Sequence, residues 1–213
     1  MKKTLFLECS PFGNTSSGTR LVQAALRERG LTGDDLPLIT RSLAAEPLAP
    51  LSAGYAQALT SAAPDSDPAL AVSERLISEL EACDRLLIAT PMHNFTVPAA
   101  LKLWIDYVLR IERSFTNTPE GKVGLLRDRP TLVLVRSGGI CTGDAARQPD
   151  FLTPYLRHTL ATVGIHRVQF VYLPGQPVAD EALNQARRAL AAFLAEAPLA
   201  AFLAEAPLAN AQR

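Results

Sequence analysis

The chain has 213 residues, 48% of them hydrophobic, which suits one α/β core in a single domain. Basic and acidic residues number 21 each and are scattered, so the balance argues against nucleic acid or an acidic membrane surface as partner. The opening run Met1-Lys2-Lys3-Thr4-Leu5-Phe6-Leu7-Glu8 is too short for a secretory signal and no stretch is long enough to span a bilayer, so a cytoplasmic protein is expected.

The predicted elements alternate between strand and helix. Residues 3–8 read as the first strand, and residues 9–17 as a loop rich in Ser, Gly, Asn, Thr and Pro. Residues 19–29 form a helix by the spacing of Leu21, Val22, Ala25 and Leu26, stopped at Gly30. Residues 36–43 read as the second strand. Residues 44–67 are an irregular crossover with Pro47, Pro50 and Pro64, holding a short helix around Ala53–Thr60. A helix over 69–82 places Leu76, Ile77, Leu80 and Cys83 on one side, and 85–89 is the third strand. The next helix carries Leu101, Trp104, Ile105 and Val108 at i, i+3, i+4 and i+7, a core-facing stripe. Residues 114–126 read as a loop, 131–135 as the fourth strand and 136–149 as a long loop. A helix over 150–162 is capped by Asp150 and ended by Gly164. Residues 167–173 are the fifth strand and 180–196 the last helix.

Strands that read as nearly continuous apolar runs are buried on both faces. The expected fold is therefore α/β: a five-stranded parallel, doubly wound sheet with helices on both faces, in the flavodoxin-like strand order. Residues 1–196 make one domain. Residues 197–213 belong to a duplicated tail, since Ala-Ala-Phe-Leu-Ala-Glu-Ala-Pro-Leu begins at Ala191 and again at Ala200. Two short copies with Pro198 and Pro207 make neither a solenoid nor one long helix.

Three loops follow the carboxyl ends of the first, third and fourth strands. The first, Cys9-Ser10-Pro11-Phe12-Gly13-Asn14-Thr15-Ser16-Ser17-Gly18, opens a helix whose free amides attract anions, and its hydroxyls add donors. It lacks the Gly-Lys-Ser/Thr of a P-loop and the Gly-x-Gly-x-x-Gly of a dinucleotide site, so a terminal phosphate monoester suits it. The second, Pro91-Met92-His93-Asn94-Phe95-Thr96-Val97-Pro98, holds a thioether, an imidazole, an amide and a phenyl ring between two prolines, a mixture suited to a flat heteroaromatic ligand. The third, Arg136-Ser137-Gly138-Gly139, lets backbone approach a planar group. Each loop alone is also explained as an ordinary turn. Their convergence at adjacent strand ends is what points to a ligand with a phosphate at one end and a flat ring at the other.

Other chemistries fit less well. There is no Gly-x-Ser-x-Gly elbow, and His93, His158 and His166 make no metal signature. His93 lies inside the second loop and is a candidate for substrate contact or proton donation, with a solvated imidazole as the alternative. Cys9, Cys83 and Cys141 are odd in number and widely spaced, which suits reduced thiols, not a disulfide framework.

Ser10-Pro11 with Ser16-Ser17, Pro91-Met92-His93-Asn94-Phe95 with Pro98, Leu101-Lys102 and Trp104-Ile105-Asp106, Ser114-Phe115, Gly138-Gly139, and Gly164-Ile165 together resemble the FMN-dependent NADH:quinone oxidoreductases, also called azoreductases. The similarity runs from the first strand to about Gly175. The resemblance implies a flavodoxin-like fold and a homodimer with active sites at the interface. It also implies one noncovalent FMN per subunit, with NADH or NADPH as cosubstrate, and ping-pong reduction of quinones or azo compounds. Ser10 and Ser16, Ser17 and Gly18 would hold the phosphate. Met92, His93, Asn94 and Phe95 would line the isoalloxazine, with Arg136, Ser137, Gly138 and Gly139 on its other side. Asn94 takes a positioning role and His93 that of proton donor or wall. The Phe115 loop and the region from Phe151 to Tyr155 would contribute across subunits. Two departures stand out: Asn117 replaces a usual aromatic residue, and Arg136-Ser137 reverses the Ser-Arg that often precedes the glycines. A flavodoxin-type electron carrier without nicotinamide activity, and a phosphate-ligand protein without flavin, are the alternative classes.

Overall fold

The computed structural model describes residues 2–31 and 38–195. The chain runs β1 (Thr4–Glu8), α1 (Ser17–Glu28), β2 (Leu38–Ser42), α2 (Ala53–Thr60), α3 (Ala71–Glu81), β3 (Arg85–Pro91), α4 (Ala99–Val108), β4 (Phe115–Thr118), β5 (Gly121–Gly124), β6 (Thr131–Ser137), α5 (Leu152–Thr162), β7 (Val168–Pro174) and α6 (Asp180–Leu194). Five strands form one parallel sheet in the order β2-β1-β3-β6-β7. The expected doubly wound, flavodoxin-like arrangement is present. The second copy of the tail repeat, and residues 36–37 of the expected second strand, lie outside the described residues.

Side-chain alternation sorts the core into two layers. Leu5, Leu7, Leu86, Ile88, Val133 and Val135 pack against α2, α3, α4 and α5. Phe6, Leu87, Ala89, Leu132 and Leu134 pack against α1 and α6. Register keeps like with like: Leu7 stands opposite Ile88, and Ile88 opposite Val133. With both faces covered, solvent reaches the sheet at its strand ends. β1, β3 and β6 are neighbours, so the loops after them meet.

Helix ends follow the sequence signals. The Ser16 hydroxyl accepts from the Thr19 amide (3.2 Å), and Asp150 accepts from the amides of Leu152 and Thr153 (2.9 Å each). Gly164, at φ +100°, turns the chain after α5. Among the described residues no helix is long and apolar enough to cross a membrane.

One segment differs from expectation. Residues 114–126, read as a loop, contain the antiparallel hairpin β4–β5, with Phe115 opposite Gly124. Its strands are too short and polar to show an apolar period. What holds them is tertiary: Phe115 is buried beneath the Lys122 ammonium, 4.6 Å from the ring centroid, and Gly124 lies so close to Gly164 that a Cβ would sit 2.1 Å from its nitrogen. Phe115 is thus buried by packing within this chain. Smaller differences concern ends: β3 extends through Pro91, and a 3-10 turn, Pro68–Leu70, precedes α3.

The end of α4 is fastened to α3 by buried charge. The Arg110 side chain, only 2% exposed, donates to Asp65 (2.7 Å), Glu74 (2.5 Å) and the Ser73 hydroxyl (3.3 Å). Arg113 bridges Glu74 and Glu81. The guanidinium of Arg113, then that of Arg110, holds the Glu74 carboxyl below the usual range. A carboxyl depressed in the folded state stabilises above its unfolded pKa, about 4.3, and loses that contribution as pH falls through the folded value. Glu74→Ala, which strips a partner from a buried guanidinium, is expected to cost about 3 kcal/mol. Urea midpoints measured from pH 6 to 3 should also fall less steeply in Glu74→Gln than in the unaltered chain; equal slopes would remove this role.

Candidate active site

The first loop is built on a buried carboxylate. Glu8 ends β1 only 1% exposed; one oxygen accepts from the Ser10 amide and the other from the Ser42 hydroxyl, both at 2.8 Å. This ties the loop to β2 and fixes Ser10, whose hydroxyl accepts from the Phe12 amide (3.2 Å). The chain then passes through Gly13, at φ +51°, into α1. A Cβ on Gly18 would come within 3.1 Å of the Ala89 Cβ, so the start of α1 lies directly on β3. The amides of Ser17 and Gly18 have no acceptor among the described residues. They stand at the positive end of the helix with the hydroxyls of Ser10, Thr15 and Ser17 around them.

The second loop is a tight turn. His93 and Thr96 exchange backbone hydrogen bonds of 3.0 Å each way, and Asn94 and Phe95 between them have φ of +48° and +73°. Positive φ at both central positions makes the turn type I′. Asn adopts that conformation readily; a phenylalanine does so rarely, and such strain concentrates at functional sites. The Phe95 carbonyl accepts from the Phe151 amide (3.0 Å), which pins the turn to the start of α5, and the Met92 amide donates to the Arg136 carbonyl (2.8 Å). Among the described residues the amides of Asn94 and Phe95 have no acceptor.

The third loop leaves β6 at Ser137. That side chain is buried and donates to the Gly139 carbonyl (2.8 Å). Gly139 packs against Gln148, whose amide approaches the Met92 sulfur at 3.7 Å. Asp150, which caps α5, also accepts from the Tyr172 hydroxyl, so this loop is anchored on β7. Burial and the neighbouring carboxylate push the Tyr172 phenol well up.

A cleft of about 360 Å³ runs between these loops. Its walls bring together Ser10, Ser16, Ser17, Gly18, Met92, His93, Arg136 and Gly138. Asn94 and Phe95 stand outside the walls, on the exposed turn, while Ser137 and Gly139 lie behind them. Thr90, Leu134, Leu173 and Gln176 also line the cleft and carry no sequence signal of their own. Gln176 follows β7, the strand beside β6, so its position becomes legible only with the strand order. His158 and His166 are exposed. The three cysteines are buried and unpaired, and burial raises each thiol, Cys141 included, which removes the thiolate a reactive cysteine needs. No cluster of potential metal ligands occurs among the described residues.

The profile of the flavodoxin-like fold family matches residues 2–194. An FMN-dependent NADH:quinone oxidoreductase of Burkholderia lata is 56% identical over 191 residues, covering 90% of this chain and 94% of the relative. The chain belongs to this oxidoreductase family. A second relative of the same description, from Pseudomonas fluorescens, is 55% identical over 89% of this chain and 94% of its own length. Among solved structures, an FMN-dependent NADH-azoreductase of Bacillus anthracis in complex with FMN superposes with a TM-score of 0.72 over 90% of this chain and 97% of its own. Its 24% identity speaks to the fold alone.

The donor set fits FMN. Free helix amides and hydroxyls suit a phosphate monoester, and a thioether, an imidazole and a bare glycine backbone suit a flat ring. The network behind Ser10 gives a prediction. Glu8→Ala leaves the buried Ser10 amide without its acceptor, at about 1–3 kcal/mol, and the half-buried Ser42 hydroxyl without its own at less than that, so stability should fall by about 2–4 kcal/mol in a urea titration. A change under about 0.5 kcal/mol would show that the carboxylate does not hold the loop.

Proposed function

We propose that this chain is an FMN-dependent NADH:quinone oxidoreductase that reduces quinones and cleaves azo compounds in ping-pong order, with FMN held noncovalently in the cleft. The single observation that carries the reading is the meeting of phosphate-type donors and flat-ring platforms in one cleft, on a chain 56% identical to a relative of that description. When bound, FMN supplies the redox chemistry, taking a hydride from the nicotinamide and passing two electrons to the acceptor.

The protein's part is to bind, orient and polarise. Ser10, Ser16, Ser17 and Gly18 hold the phosphate through hydroxyls and free amides. Met92, His93 and Gly138 form the walls for the ring. The amides of Asn94 and Phe95, fixed by the type I′ turn and by the hydrogen bond to Phe151, supply donors for charge developing at the ring edge. Asn94 is a positioning residue whose side chain favours the left-handed backbone. Ser137 and Gly139 shape the third loop from behind. The His93 imidazole lines the cleft with no side-chain hydrogen bond among the described residues, and it serves as wall for the ring or as proton donor to the acceptor.

Anaerobic mixing with NADH tests this reading. The purified protein should be yellow and should bleach within the mixing time, then recover colour on addition of a quinone. Asn94→Ala should bleach at least about tenfold more slowly, the usual scale for a lost positioning contact. Colour that persists with both NADH and NADPH would assign an electron carrier. A colourless protein that does not take up FMN would assign a phosphate-ligand protein without flavin.

The active unit is a homodimer in the cytoplasm, where three unpaired thiols stay reduced. Phe95 and Phe151 are joined through their backbones beside the cleft, and both side chains are exposed, at 46% and 58%. Two such phenyl groups at the mouth of a site suit burial against a second copy. Sedimentation velocity should show a dimer for the wild type and a shift toward monomer for Phe151→Asp; a monomeric wild type would sink the assignment.

A further inference from the structure

Strand alternation decides which of Arg136 and Ser137 faces the ligand. Leu132, Leu134 and Arg136 project to the side of α1 and α6, while Val133, Val135 and Ser137 project to the other. Arg136 is the only lysine or arginine among the cleft-lining residues. Its guanidinium donates to the carbonyls of Ser137 and Leu173 (3.0 Å to the latter) and has no carboxylate partner among the described residues. Partial burial lowers its pKa, the mark of a cation short of compensating charge. On this same side of the sheet, α1 packs across β3 and β6: Gly18 sits on Ala89, and Leu21 and Val22 share a cluster with Leu132 and Leu134. The free amides at the start of α1 and the Arg136 guanidinium thus enter the cleft from one side.

The charge balance there is incomplete without it. A phosphate monoester carries about two negative charges at neutral pH. On the cleft side the first loop offers hydroxyls and the partial charge of a helix end, and the charged group behind it, Glu8, is acidic; Arg20 and Arg187 lie by Thr15 and Ser17 on the outer side of α1 and are not part of the cleft wall. We propose that Arg136 is the cationic contact of the FMN phosphate and sets this chain's preference for FMN over riboflavin, a role that rests on the assignment of the cleft to FMN. The guanidinium meets the phosphate oxygens with charge-assisted hydrogen bonds, which a neutral hydroxyl of riboflavin cannot match.

Quenching of flavin fluorescence on titration of the apoprotein measures this without turnover. Arg136→Met should weaken FMN by about 10–100-fold, the worth of a hydrogen bond between charged groups, and change riboflavin by less than about twofold. Arg136→Lys keeps the charge without the planar fork and should fall between. The wild-type preference for FMN should shrink from pH 7.5 to pH 5, as the phosphate passes below its second pKa of about 6, and should be flatter in Arg136→Met. Equal weakening of both flavins would place Arg136 against the ring or sugar and overturn the role, as would unchanged FMN affinity in both variants. A wild type that binds neither flavin overturns the cleft assignment itself, and this role with it.

Discussion

Burial of the sheet on both faces is the constraint from which the site follows. A parallel strand has no hairpin by which to return, so each crossover must lay a helix on one face or the other. With α1 and α6 on one side and α2 to α5 on the other, the sheet meets solvent at its strand ends. The order β2-β1-β3-β6-β7 makes β1, β3 and β6 neighbours although long stretches of sequence separate them. Three loops with no local reason to meet are therefore held within one cleft, and the chemistry is assembled by topology before any side chain contributes.

The same constraint decides where polar groups can be left unpaired. Buried amides without acceptors are costly, and most backbone donors around the cleft are satisfied: Ser10 by Glu8, Phe12 by the Ser10 hydroxyl, Thr19 by Ser16, Met92 by Arg136. Against that background the amides of Ser17 and Gly18 in the first loop, of Asn94 and Phe95 in the second, and of Gly138 and Gly139 in the third have no acceptor among the described residues. The first pair lies at a helix end and suits a phosphate. The second lies on a turn held in left-handed backbone by its neighbours, and suits the edge of a ring. The fastening of that turn to α5 through Phe151 gives the strained conformation its support and links it to the apolar rim.

The fold was legible from the strand and helix periods because the apolar runs were long and the crossovers carried caps and glycine stops. Ser16, Asp150 and Gly164 mark their helix ends in the sequence as they do in space. The β4–β5 hairpin was not legible, since its order comes from Gly124 against Gly164 and Lys122 over Phe115, contacts made with distant or cross-strand partners. In the cleft, residues with unusual chemistry at a strand end were readable: Ser10, Met92, His93 and Arg136. Leu134, Leu173 and Gln176 were not, because nothing distinguishes a cleft-lining leucine from a core leucine until the neighbouring helix is placed. The role of Glu8 was hidden for a related reason. A charged residue at the end of an apolar strand reads as the strand's exit to solvent, whereas here it is buried and paired with Ser10 and Ser42.

Alternation along β6 gives the order of two residues a functional meaning. Successive side chains leave a strand on opposite faces, so exchanging neighbours exchanges their environments. In this chain Arg136 precedes Ser137, which puts the hydroxyl behind the third loop, where it supports Gly139, and the guanidinium in the cleft. The reversed order would send the cation toward α4 and α5 and leave the cleft wall without a lysine or arginine. A single transposition at a strand end can thus alter the electrostatics of a flavin site while leaving composition, fold and glycine backbone unchanged. The charge so placed lies on the face where α1 presents its free amides, which joins the one unpaired cation of the cleft to the site's strongest set of anion donors.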